Sequence, residues 1–376
     1  MFIFLHKTSS LFQSIISFKF YFTSKNFFMK TKFLCLFTFI SFFAFQKANA
    51  TIWRVNNNGF SANFTSLQEA NDDNNVLNGD TIHVEGSPID YSGASISKKL
   101  IIIGTGFFLS ENPNTSSNLL EAIILDIQFN NGSAGSQLIG IHLKSSNGIY
   151  ISVSDILIKR CKIDANIRLI DQLSDIIITQ NFFAGQSTSS SISPSSNGFP
   201  ANVVFNNNIC QKTLILPDGY TLSECRNNVF DCPAISGEPS IKMLVSSFEN
   251  NILKTTNATA DINKGTNNNV SYNIGTSANN QFGTAKNNIV VANMANLFVD
   301  AAANSPDGDY QLKPGSAGSN NGSDETDRGV FGGVAITNRY TLSGLAPIPV
   351  IYKIITPSVT TQSGDLQVTI QARTIK

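Results

Sequence analysis

Between residues 156 and 289 a short alternation of apolar and polar residues, ending in Asn, returns every 15 to 27 positions. A period of this size constrains the fold more than any other property of a chain. One copy is too small to bury its own apolar side and must stack on its neighbours. Ile156-Leu157-Ile158-Lys159-Arg160-Cys161, Ile176-Ile177-Ile178-Thr179-Gln180-Asn181 and Val203-Val204-Phe205-Asn206-Asn207-Asn208 superimpose without gaps. Further copies end at Asn228, Asn251, Asn273 and Asn288. The steps from Cys161 onward are 20, 27, 20, 23, 22 and 15 residues, the last being short for a full turn.

With the terminal Asn as position zero, the column three residues earlier reads Ile158, Ile178, Phe205, Cys225, Phe248, Val270 and Ala285. The column one residue later reads Lys162, Phe182, Ile209, Val229, Ile252, Ile274 and Ile289. Both are mostly apolar, whereas position minus two holds Lys159, Thr179, Asn206, Arg226, Glu249, Ser271 and Lys286. Such alternation marks strands with one buried face. The fold class is therefore all-β: a right-handed parallel β-helix whose rung is a strand, a tight Asn turn and a second strand. Asn tolerates left-handed backbone at a sharp corner, and amides stacked about 4.8 Å apart bond along the axis. Asn181, Asn208, Asn228, Asn251, Asn273 and Asn288 are read as this structural ladder, which begins one rung after Cys161.

A solenoid needs its open ends covered. Ser66 and Glu69 form a capping box for a short helix near residues 66–70, read as the N-terminal cap, and the single Trp53 is placed to seal that end. Asp309-Tyr310-Gln311-Leu312-Lys313-Pro314-Gly315-Ser316 and Gly329-Val330-Phe331-Gly332-Gly333 break the Asn rhythm and close the repeat. The β-helix domain is assigned to residues 51–333. Residues 334–376 form a linker and β tail, with strands at Val350–Ile355 and Leu366–Ile370 around Ser363-Gly364-Asp365.

Residues 1–50 belong to another physical class, with six lysines, no acidic side chain and 14 of the 28 Phe residues. Met29-Lys30-Thr31-Lys32, the apolar run Phe33 to Phe45 and Ala48-Asn49-Ala50 spell a signal peptide over residues 29–50, cleaved before Thr51. Residues 1–28 are then an upstream extension. After cleavage 20 basic and 26 acidic side chains remain, a net charge near −6, which repels nucleic acid. No transmembrane segment is expected in the mature chain. It holds 41 Asn, interleaved with Ile, Val, Leu and Phe in the manner of a turn-rich ordered protein. The expected location is extracellular or at a bacterial cell surface.

The helix-cap segment Phe64-Thr65-Ser66-Leu67-Gln68-Glu69-Ala70, the following Gly79-Asp80-Thr81-Ile82-His83-Val84, the Asn rungs and the closing Asp327-Arg328-Gly329-Val330-Phe331-Gly332-Gly333 resemble secreted parallel β-helix proteins of the pectate-lyase-like superfamily, especially those of Bacteroidetes. That resemblance covers roughly residues 51–333. It implies polysaccharide lyases and other carbohydrate-active enzymes, and many non-catalytic surface proteins. The Gly-His-Gly of polygalacturonase-like members and the calcium ligands of pectate-lyase-like members find no counterpart here.

Candidate chemistry is sparse. Asp155 and Asp175 share position minus six on adjacent copies, so their carboxylates stack about 5 Å apart. Ca2+ suits such ligands but takes six to eight oxygens, and the sequence offers two; no cofactor is expected otherwise. Lys159 and Arg160 are candidates for base and carboxylate clamp toward a uronate, although adjacent strand residues face opposite sides. Asp307, Asp309, Asp324 and Asp327 read as a turn-rich closing loop. His83 and His142 read as solvated strand residues, and the four mature Cys as buried thiols, with Cys210 and Cys232 one rung apart. The expected function is a non-catalytic secreted protein that binds a glycan or surface partner along a rigid face. The alternative is a polysaccharide lyase acting on an acidic polymer.

Overall fold

The computed structural model describes residues 50–112, 115–144, 147–170, 172–194, 198–263, 269–300, 305–356 and 366–375. The chain divides into two units, Met1–Asn49 and Ala50–Lys376. The leader read over residues 29–50, apart from Ala50, the upstream extension and the Ser363-Gly364-Asp365 turn lie outside the described residues.

The second unit is a parallel β-helix. In its first sheet Ile158 pairs with Ile178, and the column continues through Phe205, Cys225, Phe248 and Val270, in the register of the repeats. In the second sheet the column Lys162, Phe182, Ile209, Val229, Ile252, Ile274 and Ile289 pairs likewise. These two sheets join at the Asn corner into one 20-stranded array, and a third sheet of five strands runs from Ala94–Ile96 to Ile192–Pro194. The lumen is filled by apolar side chains from all three, among them Ile158, Ile178, Phe205, Phe183, Phe230, Ile149 and Ile167.

The ladder forms as the columns require. Each Asn donates its amide to the carbonyl three residues before zero on the preceding rung and to the Oδ1 of the next Asn. That Oδ1 also accepts the backbone N–H of the Asn before it. Asn228 Nδ2 thus lies 2.8 Å from the Phe205 carbonyl and 2.9 Å from Asn251 Oδ1, and Asn228 Oδ1 accepts from Asn208 N at 2.9 Å. The chain of amides runs from Asn181 to Asn288, including the short last step. Cys161 N donates to Asn181 Oδ1, which caps the ladder where the amides begin.

The left-handed residue is not the ladder Asn but the one before it. Arg160, Gln180, Asn207, Asn227, Asn250, Tyr272 and Asn287 have φ between 55° and 61°. The corner turns there, so the next side chain is delivered inward in an ordinary conformation. A second left-handed column holds Asp155, Asp175 and Asn202, types that tolerate this backbone best.

The second sheet is buried on both faces. Phe183, Cys210, Phe230 and Leu253 enter the lumen, whereas Phe182, Ile209, Val229, Ile252 and Ile274 point outward into another core with Phe107, Met294, Leu297, Phe298, Tyr310, Val330 and Tyr340. A long closing segment lies over this face. Two buried guanidiniums fasten it, Arg160 to the Leu345 carbonyl at 2.8 Å and Arg328 to the Asn287 carbonyl at 3.0 Å. Burial lowers the pKa of each to about 10. Asp307 is fully buried and accepts from Ser343 N, Asn112 Nδ2 and Tyr340 Oη. Burial pushes its carboxyl above the ordinary range against the pull of those bonds.

At the other end α1 (Leu67–Asp72) packs Leu67 and Ala70 on the lumen, with Ser66 Oγ accepting from Glu69 N at 3.1 Å. Glu69 reaches back to Thr65 N at 2.8 Å, one residue earlier than a strict capping box. Trp53 donates to Asp80 and packs on Phe64. The tail forms an antiparallel hairpin of Pro349–Ile355 with Thr369–Thr374, its second strand starting later than the apolar run at Leu366. The hairpin is largely exposed and is tied to the solenoid where Ser117 N and Oγ both donate to the Ile351 carbonyl.

Asn228→Ala would leave Asn208 N and the Phe205 carbonyl without their side-chain partner inside the core. We expect it to lower the unfolding free energy by about 3 kcal/mol, from roughly 1–3 kcal/mol per buried group left unpaired. Thr179→Ala, on the outer row, should stay within about 0.5 kcal/mol. Denaturant unfolding of both variants checks the contrast.

Candidate functional site

Along the second sheet the column three residues after zero reads Lys144, Asp164, Ala184, Gln211, Asp231 and Lys254, by extension of the strand register. It runs beside the apolar column that the closing segment covers, so its side chains line the edge of that cover. Two polar clusters form there. Asp164 and Asp231 are three rungs apart, roughly 14 Å by strand spacing.

In the first cluster, His142 lies one residue after zero and is only 7% exposed, a correction to its reading as a solvated residue. Its Nδ1 is 2.7 Å from Glu121 Oε2 and its Nε2 is 3.0 Å from Asp164 Oδ2. Lys162, one rung on, places Nζ 2.7 Å from the same Nε2 and 2.8 Å from Asp164 Oδ1. Burial works against the imidazolium, but the hydrogen bonds to Asp164 and Glu121 outweigh it and raise the His142 pKa above its ordinary value. Asp164 is also partly buried, and its bonds to His142 and Lys162 hold its carboxyl below the ordinary range. When charged, the ring donates to both carboxylates, Nδ1–H to Glu121 and Nε2–H to Asp164; in a neutral ring the unprotonated nitrogen is an acceptor, which at Nε2 faces the Lys162 ammonium.

In the second cluster Tyr310 Oη donates to Asp231 Oδ2 at 2.9 Å and accepts from Gln211 Nε2 at 3.1 Å. Lys254 bridges Asp300 at 3.1 Å and Asp231 at 3.6 Å, with its ammonium 4.9 Å from the Tyr310 ring centre. A row of rings, buried at Phe182 and Tyr310, joins the clusters: Phe108 packs edge-on against Phe182 at 5.1 Å, and Phe182 against Tyr310 at 6.3 Å. Lys162 lies over the Phe108 ring.

The residues singled out from the sequence lie elsewhere. Lys159 Nζ donates to the Thr337 carbonyl, and Arg160, 1% exposed, bonds Gln180 Oε1 and the Leu345 carbonyl. Both fasten the closing segment. Asp155 and Asp175 stack on adjacent rungs and are exposed. Asp175 accepts from Asn202 Nδ2 and Ser174 Oγ, which lower its pKa. Among the described residues no three His, Cys, Asp or Glu side chains converge as metal ligands. Asp324 and Asp327 each hold a local turn, apart from Asp307. The four cysteines among the described residues are buried and unbridged; Cys210 pairs in register with Phe230, two residues short of Cys232.

Comparison with protein-family models, with curated proteins and with solved structures finds no match. The fold and the strip define the class: a parallel β-helix protein carrying an ionisable strip on one outer face.

Because the folded pKa of His142 is raised, its contribution to stability is complete below the ordinary histidine value of about 6.5 and lost as pH rises through the folded value. The difference in unfolding free energy between wild type and His142→Gln should shrink across that window. In a proton NMR titration we expect the His142 midpoint to fall in Asp164→Asn and to rise in Lys162→Met.

Proposed function

We propose that this is a secreted or cell-surface β-helix protein, of pectate-lyase-like type, that holds a glycan or another surface component along the strip. The observation that supports this is the pairing of the strip's charges along the row of rings. Lys162 is spent on Asp164, Lys254 on Asp231 and Asp300, and Tyr310 on Asp231. Such an array offers donors and acceptors at fixed spacing, which suits hydroxyl-rich ligands.

One observation favours a second reading, a polysaccharide lyase or related enzyme. The Lys162 ammonium lies 2.7 Å from His142 Nε2, a nitrogen that can take up a proton, as a general base must. Asp164 and Glu121 would then position the pair.

The test is to incubate the purified protein with acidic and neutral polysaccharides, with and without Ca2+, following retention and product together. We expect retention of at least one glycan without product, weakened about three- to tenfold by Gln211→Ala or Asp231→Asn, as loss of one hydrogen bond implies. Unsaturated oligosaccharides, abolished in His142→Gln, would establish the second reading. Neither retention nor product would refute both.

A further inference from the structure

Between the two clusters the strand Phe182–Ser190 leaves its register. Phe183 faces Cys210, but the next paired residue, Ser187, faces Lys212, so two extra residues arch outward over the rung below. Gly185 carries the arch at φ 88°, a conformation that suits glycine, and its N–H donates to Gln211 Oε1 at 3.0 Å. Beside Gly185 there is open space. A Cβ there would meet only the Lys212 ammonium, 3.9 Å away.

Lys212 is 6% exposed. Among the described residues no hydrogen-bond or ion-pair partner reaches its ammonium; Asp164 attracts it from farther off and is already held by Lys162 and His142. Burial accordingly lowers its pKa. The stem of Lys212 is enclosed by the fold, whereas its ammonium has solvent and no direct protein partner among the described residues. That ammonium has an opening at Gly185, midway along the strip.

We propose that Lys212 is an anion-recognition site that reads one acidic substituent, a carboxylate or a sulfate ester, on an otherwise neutral glycan lying along the strip. This rests on the glycan-binding reading and narrows it. The surroundings disfavour a polyanion: Glu121, Asp164, Asp231, Asp300 and Asp309 lie along the same strip, and its other ammoniums, Lys144, Lys162 and Lys254, already have carboxylate partners. A uniformly charged polymer meets repulsion on either side of Lys212. A single acidic group meets, at Lys212, an ammonium that no carboxylate holds among the described residues.

The experiment uses wild type, Lys212→Met and Lys212→Arg. Thermal unfolding and calorimetric titration are run at constant ionic strength with sodium glucuronate, sodium sulfate and glucose as probes. Without any probe, Lys212→Met should melt no lower than wild type, because it removes a charge that no described residue holds. Glucuronate, sulfate or both should stabilise wild type saturably and glucose should not, and the anion that acts identifies the substituent. Lys212→Met should weaken that binding about tenfold or more, the worth of a charge-assisted hydrogen bond, while Lys212→Arg retains most of it. No saturable response in wild type, or an equal response in Lys212→Met, would overturn the proposal. If Lys212→Met fails to fold, the ammonium has a structural role and the proposal falls. Glycan retention that depends on Gln211 and Asp231 is measured separately, so the broader reading survives or fails on its own result.

Discussion

The amide ladder at the corner of the rungs is the interaction on which the rest of the structure depends. Each buried Asn satisfies a carbonyl behind it, an amide ahead and a backbone N–H, and only stacking at the strand spacing allows all three at once. A slip of one residue would leave several buried groups unpaired, at roughly 1–3 kcal/mol each. The ladder therefore sets the register of both adjoining sheets. With the register fixed, side chains separated by 15 to 27 residues become neighbours at one rung's distance.

That dependence explains what could be read from the sequence. The ladder Asn residues and the inward column from Ile158 to Val270 obey a local rule repeated in every copy, so they are legible without coordinates. The left-handed corner was assigned one residue late, because Asn occupies both places in several copies, as Asn207 and Asn208 do. The column after zero looked like part of the lumen because Phe182, Ile209, Val229 and Ile252 are as apolar as lumen residues. What buries them arrives from residues 294–340, outside the repeat, and no periodicity announces it.

The candidate site was illegible for the same reason. Glu121, His142, Lys162 and Asp164 are 20 to 22 residues apart except for the last pair, and they meet only because rungs stack. His142 between Ile141 and Leu143 has the surroundings of any solvated strand residue. One signal was available: His142 and Lys162 occupy the column that is otherwise apolar, so two early rungs depart from the pattern. Lys159 and Arg160, by contrast, drew notice as an adjacent basic pair, and the closing segment turned them into fastenings.

The buried arginines and lysine among the described residues separate structure from function by one criterion. Arg160 and Arg328 are as enclosed as Lys212, but each guanidinium donates to backbone carbonyls of neighbouring segments and joins the closing segment to the rungs. Their burial lowers the pKa to about 10 and leaves them charged at neutral pH, and the hydrogen bonds offset the lost hydration. Lys212 has the burial without the bonds. A lysine offers a compact charge on a flexible stem rather than a planar fork, so it can reach along the axis to the gap at Gly185 and follow a ligand that arrives there. The rigid ladder fixes the two clusters about three rungs apart with that opening between them, so an anion arriving there would meet an ammonium that no neighbouring side chain holds.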